Sequence, residues 1–302
     1  MRSLAAILDQ LWLKADIDRR VFFTAGKQRL RWGSGQFFNP TDFVNRQRLN
    51  PVALLDQRVG IGLLKVHVPL EAQGVNLYAI LDFEDADRLE NMGGALRGEF
   101  AFGRSEVATS VAYQRDRGLR GGIDLSAGIW EFDFRSEVSV AYLDRLPFYE
   151  GAFSTQPLVT PDAVDRSREL VVQAVAGADV TIRLSSDGDT LTLGAEYFFN
   201  GGGYGDKDLF PFLIFASAGP DVLRTAGADI PTDRPQVGFD PFTSSRHYVA
   251  ALAVLSGPGS WDDTTFILSA IADPGATTSG IARIDVSHQA LTFLNVRAFI
   301  NV

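Results

Sequence analysis

WEFDFRSEVSVAYLD, residues 130–144, alternates with a period of two. Phe132, Phe134, Ser136, Val138, Val140 and Tyr142 are nearly all apolar or aromatic, whereas Glu131, Asp133, Arg135, Glu137, Ser139 and Ala141 are charged or small. Successive side chains of a strand point to opposite faces, so this pattern specifies a β-strand with one face for an apolar medium and one for water. The stretch exceeds the usual 5 to 6 residues of soluble sheets and matches the roughly 9 to 11 that a tilted strand needs to cross a bilayer.

The same pattern predicts fourteen strands: 11–18, 21–32, 59–69, 74–84, 95–104, 105–115, 118–129, 130–144, 169–184, 189–200, 246–256, 261–272, 280–287 and 290–302. In the fourth, Val75, Leu77, Ala79, Leu81 and Phe83 oppose Asn76, Tyr78 and Asp82. The connections alternate as well. Odd-numbered strands end in tight turns, such as the Arg104/Ser105 junction and the Asp-Gly pair within 185–189, and even-numbered strands often lead into long segments at 33–58, 145–168 and 201–246. Short turns on one rim and long loops on the other describe an outer-membrane barrel.

Aromatic residues gather at predicted strand ends, with Phe83, Tyr113, Tyr142, Tyr197 and Phe199 towards the long loops and Phe100, Phe102, Trp130 and Trp261 towards the short turns. Two such belts belong at headgroup level. A soluble β-sandwich would show the same alternation with apolar residues inward. A single closed soluble barrel is excluded, because about eight strands already enclose a packable interior. The expected fold is therefore all-β, an antiparallel transmembrane β-barrel in one domain over residues 1–302.

Composition agrees. The 302 residues are 46% hydrophobic with 29 Gly, 22 Phe and no Cys, and the formal charge is −9. An acidic chain without clustered Lys/Arg excludes a nucleic-acid partner. The lack of Cys excludes disulfide scaffolds, cysteine-based zinc clusters and thiol nucleophiles. No apolar run reaches the length of a transmembrane helix, which says nothing of a barrel. The start, MRSLAAILDQLW, holds an apolar run too short for a signal peptide. Because the first predicted strand runs down into a short turn and the last runs up from one, a strand is expected to be missing at each end, giving a full barrel of about 16 strands or more.

Residues 26–45, GKQRLRWGSGQFFNPTDFVN, resemble a group of poorly characterised Gram-negative outer-membrane porin-like barrels. Gly26, Lys27 and Gln28 match a Gly-Arg-Gln-like element with Lys in place of Arg. Trp32 and Gly33 match a Trp-Gly pair, and Asn39, Pro40 and Asp42 match an Asn-Pro-x-Asp loop. The match covers about twenty residues. It implies a channel or transporter in the outer membrane of a Gram-negative bacterium, with membrane lipid, lipopolysaccharide and small solutes as partners. It implies no cofactor, and neither substrate nor oligomeric state follows from it.

Several residues are candidates for controlling passage. Lys27, Arg29 and Arg31 alternate on the second predicted strand and place three cations on one face. If that face lines the lumen, they form a basic ladder opposite carboxylates such as Asp16, Asp18, Glu99, Asp133 and Glu137, and would bias permeation by charge. Arg135, Asp179 and Arg183 belong to the same polar wall. The competing reading is that these charges solvate the wall and pair across strands. Two long loops are too apolar to float freely: residues 39–58 with the aromatics that lead into them, Phe37, Phe38, Phe43, Val52, Leu54 and Leu55, and residues 201–246, whose stretch 209–215, LFPFLIF, holds Phe210, Phe212 and Phe215. One of them is expected to constrict the lumen; packing on the rim, or contact with lipopolysaccharide or another protein, is the alternative. Residues 220–228 suit a short helix.

Enzymatic readings are thin. The three histidines are His67, His247 and His288, and Ser287 beside His288 points to the opposite face of its strand. Asp82, Glu84, Asp85 and Asp87 lack the spacing of an EF-hand and read as a solvated tip. GGGYG at 201–205 has no helix behind it for a phosphate site. The expected function is a channel passing small polar or charged solutes, with a substrate-specific transporter of an oligosaccharide or hydrophobic compound as the alternative, ahead of an outer-membrane enzyme or a structural barrel closed by its own charges.

Overall fold

The computed structural model describes residues 8–45, 52, 60–84, 91–115, 117–186, 188–225, 227–232, 238–292 and 294–302. Leu54, Leu55, Asp85 and Asp87 lie outside them. All fourteen expected strands are present: β1 (Leu11–Ile17), β2 (Val21–Gln28), β3 (Ile61–Leu70), β4 (Val75–Asp82), β5 (Gly93–Phe102), β6 (Ser105–Gln114), β7 (Gly118–Ile129) and β8 (Phe132–Tyr142) come first. Four short strands follow within one connection, β9 (Phe148–Glu150), β10 (Ser154–Thr155), β11 (Leu158–Val159) and β12 (Asp162–Val164). Then come β13 (Val171–Arg183), β14 (Thr190–Asn200), β15 (His247–Ser256), β16 (Thr264–Asp273), β17 (Ser279–Leu291) and β18 (Leu294–Asn301).

One 14-stranded antiparallel sheet takes these in chain order, with β13 beside β8. The outermost strands, β1 and β18, do not pair with each other, so the sheet is open. Every step is to the next long strand, the simplest route a chain with alternating turns can follow. At the β1–β2 turn, where three residues separate the paired Ile17 and Val21, Asp18 and Arg19 both take positive φ, and the Asp16 carboxylate accepts the Arg19 N–H at 3.0 Å.

Pairing carries the alternation in step from β6 to β14: Asp124 faces Glu137, Glu137 faces Val175 and Val175 faces Phe198; the β17–β18 pair shifts register between Gln289 and Leu291. One face therefore gathers Arg97, Asp124, Arg135, Glu137, Asp179 and Glu196. The opposite face gathers Leu96, Val111, Ile123, Val138, Leu193 and Leu268, all left exposed. Aromatic side chains mark both rims of that exposed band, Tyr113, Tyr142 and Tyr197 on one and Phe102, Trp130 and Trp261 on the other.

Three differences from the sequence reading concern what leaves the sheet. The second strand stops at Gln28 and does not continue to residue 32, because the chain turns off the sheet and buries Trp32 against Leu63, Ile80 and Ala95. Residues 209–215 are largely helix: α1 (Phe210–Ala218) opens with Pro211 in its first turn, where a missing N–H costs nothing, and α2 (Pro220–Thr225) falls within the expected helix at 220–228. The short strands β9 to β12 lie in a stretch read only as a loop.

Candidate functional site

The polar face is concave and holds a piece of the chain. Residues 32–45 leave the end of β2 and lie across it, touching β3, β4 and β5 through Trp32 and Val44 and reaching β14 and β15 through Phe38. Phe38 stacks on Phe198 with ring centroids 4.7 Å apart, and Val52, further along, gives its carbonyl to Ser269 Oγ on β16 at 2.6 Å. Phe37, Phe38, Phe43 and Val44 are all buried. Their apolar surface is hidden by filling the interior that the sheet alone leaves open.

Two buried glutamates fix this segment. Glu137 on β8 accepts from Gly35 N (2.6 Å), Asn39 Nδ2 (3.1 Å), Thr41 N (3.1 Å) and Thr41 Oγ1 (2.7 Å). Glu196 on β14 accepts three consecutive backbone N–H groups, from Gln36 (2.6 Å), Phe37 (3.1 Å) and Phe38 (2.7 Å). Backbone N–H groups that converge in this way form an anion-binding concavity, here occupied by the wall's own carboxylates. The local sequence permits the close approach. Gly33 has φ +90°, and a Cβ there would stand 2.5 Å from Glu137 Oε1. Asn39, Pro40 and Thr41 form a turn closed by Asp42 N donating to the Asn39 carbonyl at 3.1 Å, and Asp42 accepts from Asn45 N.

Around the segment the wall is charged and largely paired. Arg97 donates to both Asp124 oxygens (2.6 and 3.0 Å) and to Glu99 (2.9 Å), with its guanidinium 5.6 Å from the Trp32 ring. Arg135 bridges Asp179 and reaches Gln36 Oε1 at 3.4 Å. Arg283 is bidentate to Asp285 at 2.6 and 2.7 Å and lies 3.9 Å from the Phe299 ring. Asp133 meets Arg104 only at 3.9 Å on the exposed short-turn side, and Arg183, at the same rim, has no partner among the described residues.

The three cations expected as a ladder do not line this wall. Lys27 pairs across the sheet with Leu11 and Gly62, which puts it on the face of Phe23 and Ala25, and it meets Glu84 at 3.8 Å. Arg29 pairs with Asp9, whose carboxyl is held below the ordinary carboxylate range by the Gly60 N–H and by Arg29 itself. Arg31 donates to the Gly35 carbonyl. Alternation fails as a guide for Arg29 and Arg31 because the strand ends at Gln28, whereas Lys27 is still within the strand and its pairing turns it to the face opposite the polar wall.

The Gly26–Gln28, Trp32–Gly33 and Asn39–Asp42 elements fall in or beside the inserted segment. Trp32, Pro40 and Asp42 are buried, and Gln28 Nε2 donates to the Thr24 and Leu63 carbonyls. Gly26 has φ +125°, where a Cβ would meet the Leu11 carbonyl at 2.3 Å. Sequence reasoning missed Glu196, Arg97, Asp124 and Thr41. Glu196 sits between outward Ala195 and Tyr197, so its inward aim was readable from alternation, whereas its capture of three loop N–H groups was not.

Over the long-loop end lies a second assembly. Phe210, Phe212 and Leu213 of α1 are buried with Leu223, Tyr149 and Tyr204, and Phe215, 51% exposed, packs at the cap's edge with its ring centroid 5.9 Å from that of Phe153. Tyr204 OH accepts the Tyr149 N–H at 3.2 Å, and burial pushes its phenol up to about 12. Between this cap and the inserted segment is a cavity of about 310 Å³ lined by residues including Arg120, Asp144, Phe148, Arg166, Gln173 and Asn200. Among the described residues no group of three or more His, Asp or Glu could hold a metal ion. His67 bonds Asn76, His247 bonds Tyr197 and His288 bonds Thr264.

No protein-family model matches the sequence, and no curated protein does. Among solved structures the chain is similar to Pseudomonas aeruginosa OccK11 (OpdR), with TM-score 0.49 and 11% identity over 94% of this chain and 72% of that one. Pseudomonas aeruginosa OccK2 (OpdF), solved in complex with glucuronate, gives TM-score 0.46 and 12% identity, covering 93% and 72%. Acinetobacter baumannii OccAB3 gives TM-score 0.45 and 10% identity, covering 95% and 70%. These are outer-membrane channel proteins. The two faces of the sheet, and not likenesses this distant, carry the functional reading.

Proposed function

We propose that the chain is an outer-membrane channel whose interior is narrowed by its own residues 32–45, and that it passes small polar solutes selectively. One observation carries this: a 14-stranded sheet exposes a continuous apolar band on its convex face while its concave face collects the charges. An exposed apolar surface of this extent is stable only against lipid or another apolar partner. In water the faces would be reversed, as in a sandwich.

Lipid and lipopolysaccharide then cover the convex face, and the paired wall charges set a field of mixed sign across the water-filled side. The inserted segment favours a substrate-specific channel over a wide general pore, because Trp32, Phe37 and Phe38 occupy space that water and solute would otherwise fill. Hydrocarbon cannot satisfy free strand edges, so in the bilayer the edges of β1 and β18 take strand partners.

Single-channel recording in a planar bilayer tests the reading. Small, stable, ohmic steps are expected. A folded, inserted protein without conductance overturns it.

A further inference from the structure

We infer that the cavity between the loop cap and the inserted segment is a binding site for a neutral saccharide. The inference rests on the channel reading, because the cavity stands in the solute's path. A Cβ on Gly122 would stand 2.9 Å from Thr41 Cγ2 and 3.1 Å from Phe43 Cζ of the inserted segment, and Arg120, the next inward residue of β7, lines the cavity. Likewise Phe198 stacks on Phe38, and Asn200, the next inward residue of β14, lines it too. A solute coming from the long-loop side reaches this space before it meets the constriction.

The size and chemistry of the cavity select the ligand. About 310 Å³ is at the lower end of small-ligand pockets and suits a mono- or disaccharide. Each cation at the cavity already has a carboxylate: Arg120 donates to Asp144 at 3.1 Å and Arg166 to Glu169 at 2.6 Å. No surplus positive charge therefore calls for an anion. Hydrogen-bonding capacity nevertheless remains. Arg120 Nη1 and both Arg166 Nη groups make no hydrogen bond among the described residues, and neither does Gln173 Oε1, whose amide nitrogen is spent on Asn200 Oδ1 at 2.8 Å.

Unspent donors and acceptors side by side, without net charge, suit hydroxyl groups, which both donate and accept. The Arg166 fork is also held in place. Its guanidinium lies 4.6 Å from the Phe148 ring centroid, and Phe148 stacks on Tyr204 at 4.7 Å and 5°. A fixed planar fork engages a vicinal pair of hydroxyls without first losing rotamer freedom.

Isothermal titration of the full chain folded in detergent, with glucose, maltose, glucuronic acid and galacturonic acid as probes, tests the site. Neutral sugars should bind more tightly than uronic acids, and Arg166→Ala should weaken them about tenfold, the loss expected for a charge-assisted hydrogen bond. Arg166→Lys, which keeps the charge and loses the fork, should weaken them comparably. Circular dichroism and heat-modifiable gel mobility confirm that each variant is folded. Binding of uronic acids alone, binding of no probe, or neutral-sugar binding unchanged in both folded variants overturns the proposal. Binding without bilayer conductance keeps the site and removes the channel reading; conductance without binding does the reverse.

Discussion

Glu137 accepts four hydrogen bonds from the inserted segment and offers none. In Glu137→Gln one oxygen becomes an NH2 group facing N–H donors. Hydrogen bonds to a charged group contribute about 1.5–3 kcal/mol each, so loosening of the segment by about 2 kcal/mol is expected, read as larger or noisier single-channel steps. Glu196→Gln should act in the same direction through Gln36, Phe37 and Phe38. Conductance unchanged in both variants would show that the segment is held by its apolar contacts alone. In the cap, Tyr204 titrates at about 12 when folded against an ordinary 10.0. The folded state therefore keeps its proton longer; the stabilisation is complete below pH 10 and is lost as pH rises towards 12. Tyrosinate absorbance and hydrogen exchange of the cap should show it loosening in that window, and Tyr204→Phe should remove this dependence. At this scale the sequence reading was uneven. Glu137 was legible from alternation, but Arg29 and Arg31 continue the period past the point where the strand ends, and Lys27, inside the strand, belongs to the face opposite the polar wall.

The strands were legible because each carries its period in adjacent residues, which needs no knowledge of the partner strand. Connections are a different matter. The path of residues 32–45 depends on carboxylates of β8 and β14, far away in the chain, and no local pattern records that. The apolar run at 209–215 announced burial without saying whether it would form a plug or a cap. The structure gives a helix whose Phe212 is fully buried against Tyr149 and Phe153. Phe212→Ala should destabilise this cap by about 3–5 kcal/mol, seen as faster proteolysis of the loops with the sheet intact. Deleting residues 209–228 should raise conductance by opening the mouth. Unchanged conductance would leave residues 32–45 as the sole constriction.

For the molecule as a whole, the convex face is the decisive surface. Ile123 lies midway along β7, opposite Val138, and is 57% exposed. Ile123→Arg should destabilise the protein in a bilayer by about 2–4 kcal/mol, measured by equilibrium folding into lipid vesicles. Little effect there would argue that this face meets water. Amides of β1 and β18 should exchange in the bilayer as slowly as those of β7 and β8; free exchange at either edge of an inserted protein would contradict the membrane reading. The two glutamates also have a kinetic consequence. The inserted segment is separated from Glu137 by 96 to 102 residues and from Glu196 by 158 to 160. Its N–H groups find their acceptors only after β14 has taken its place, so the constriction is among the last parts to form. During assembly the newly made sheet surrounds an interior still filled with water, and a small polar molecule present then is trapped or expelled when the segment settles.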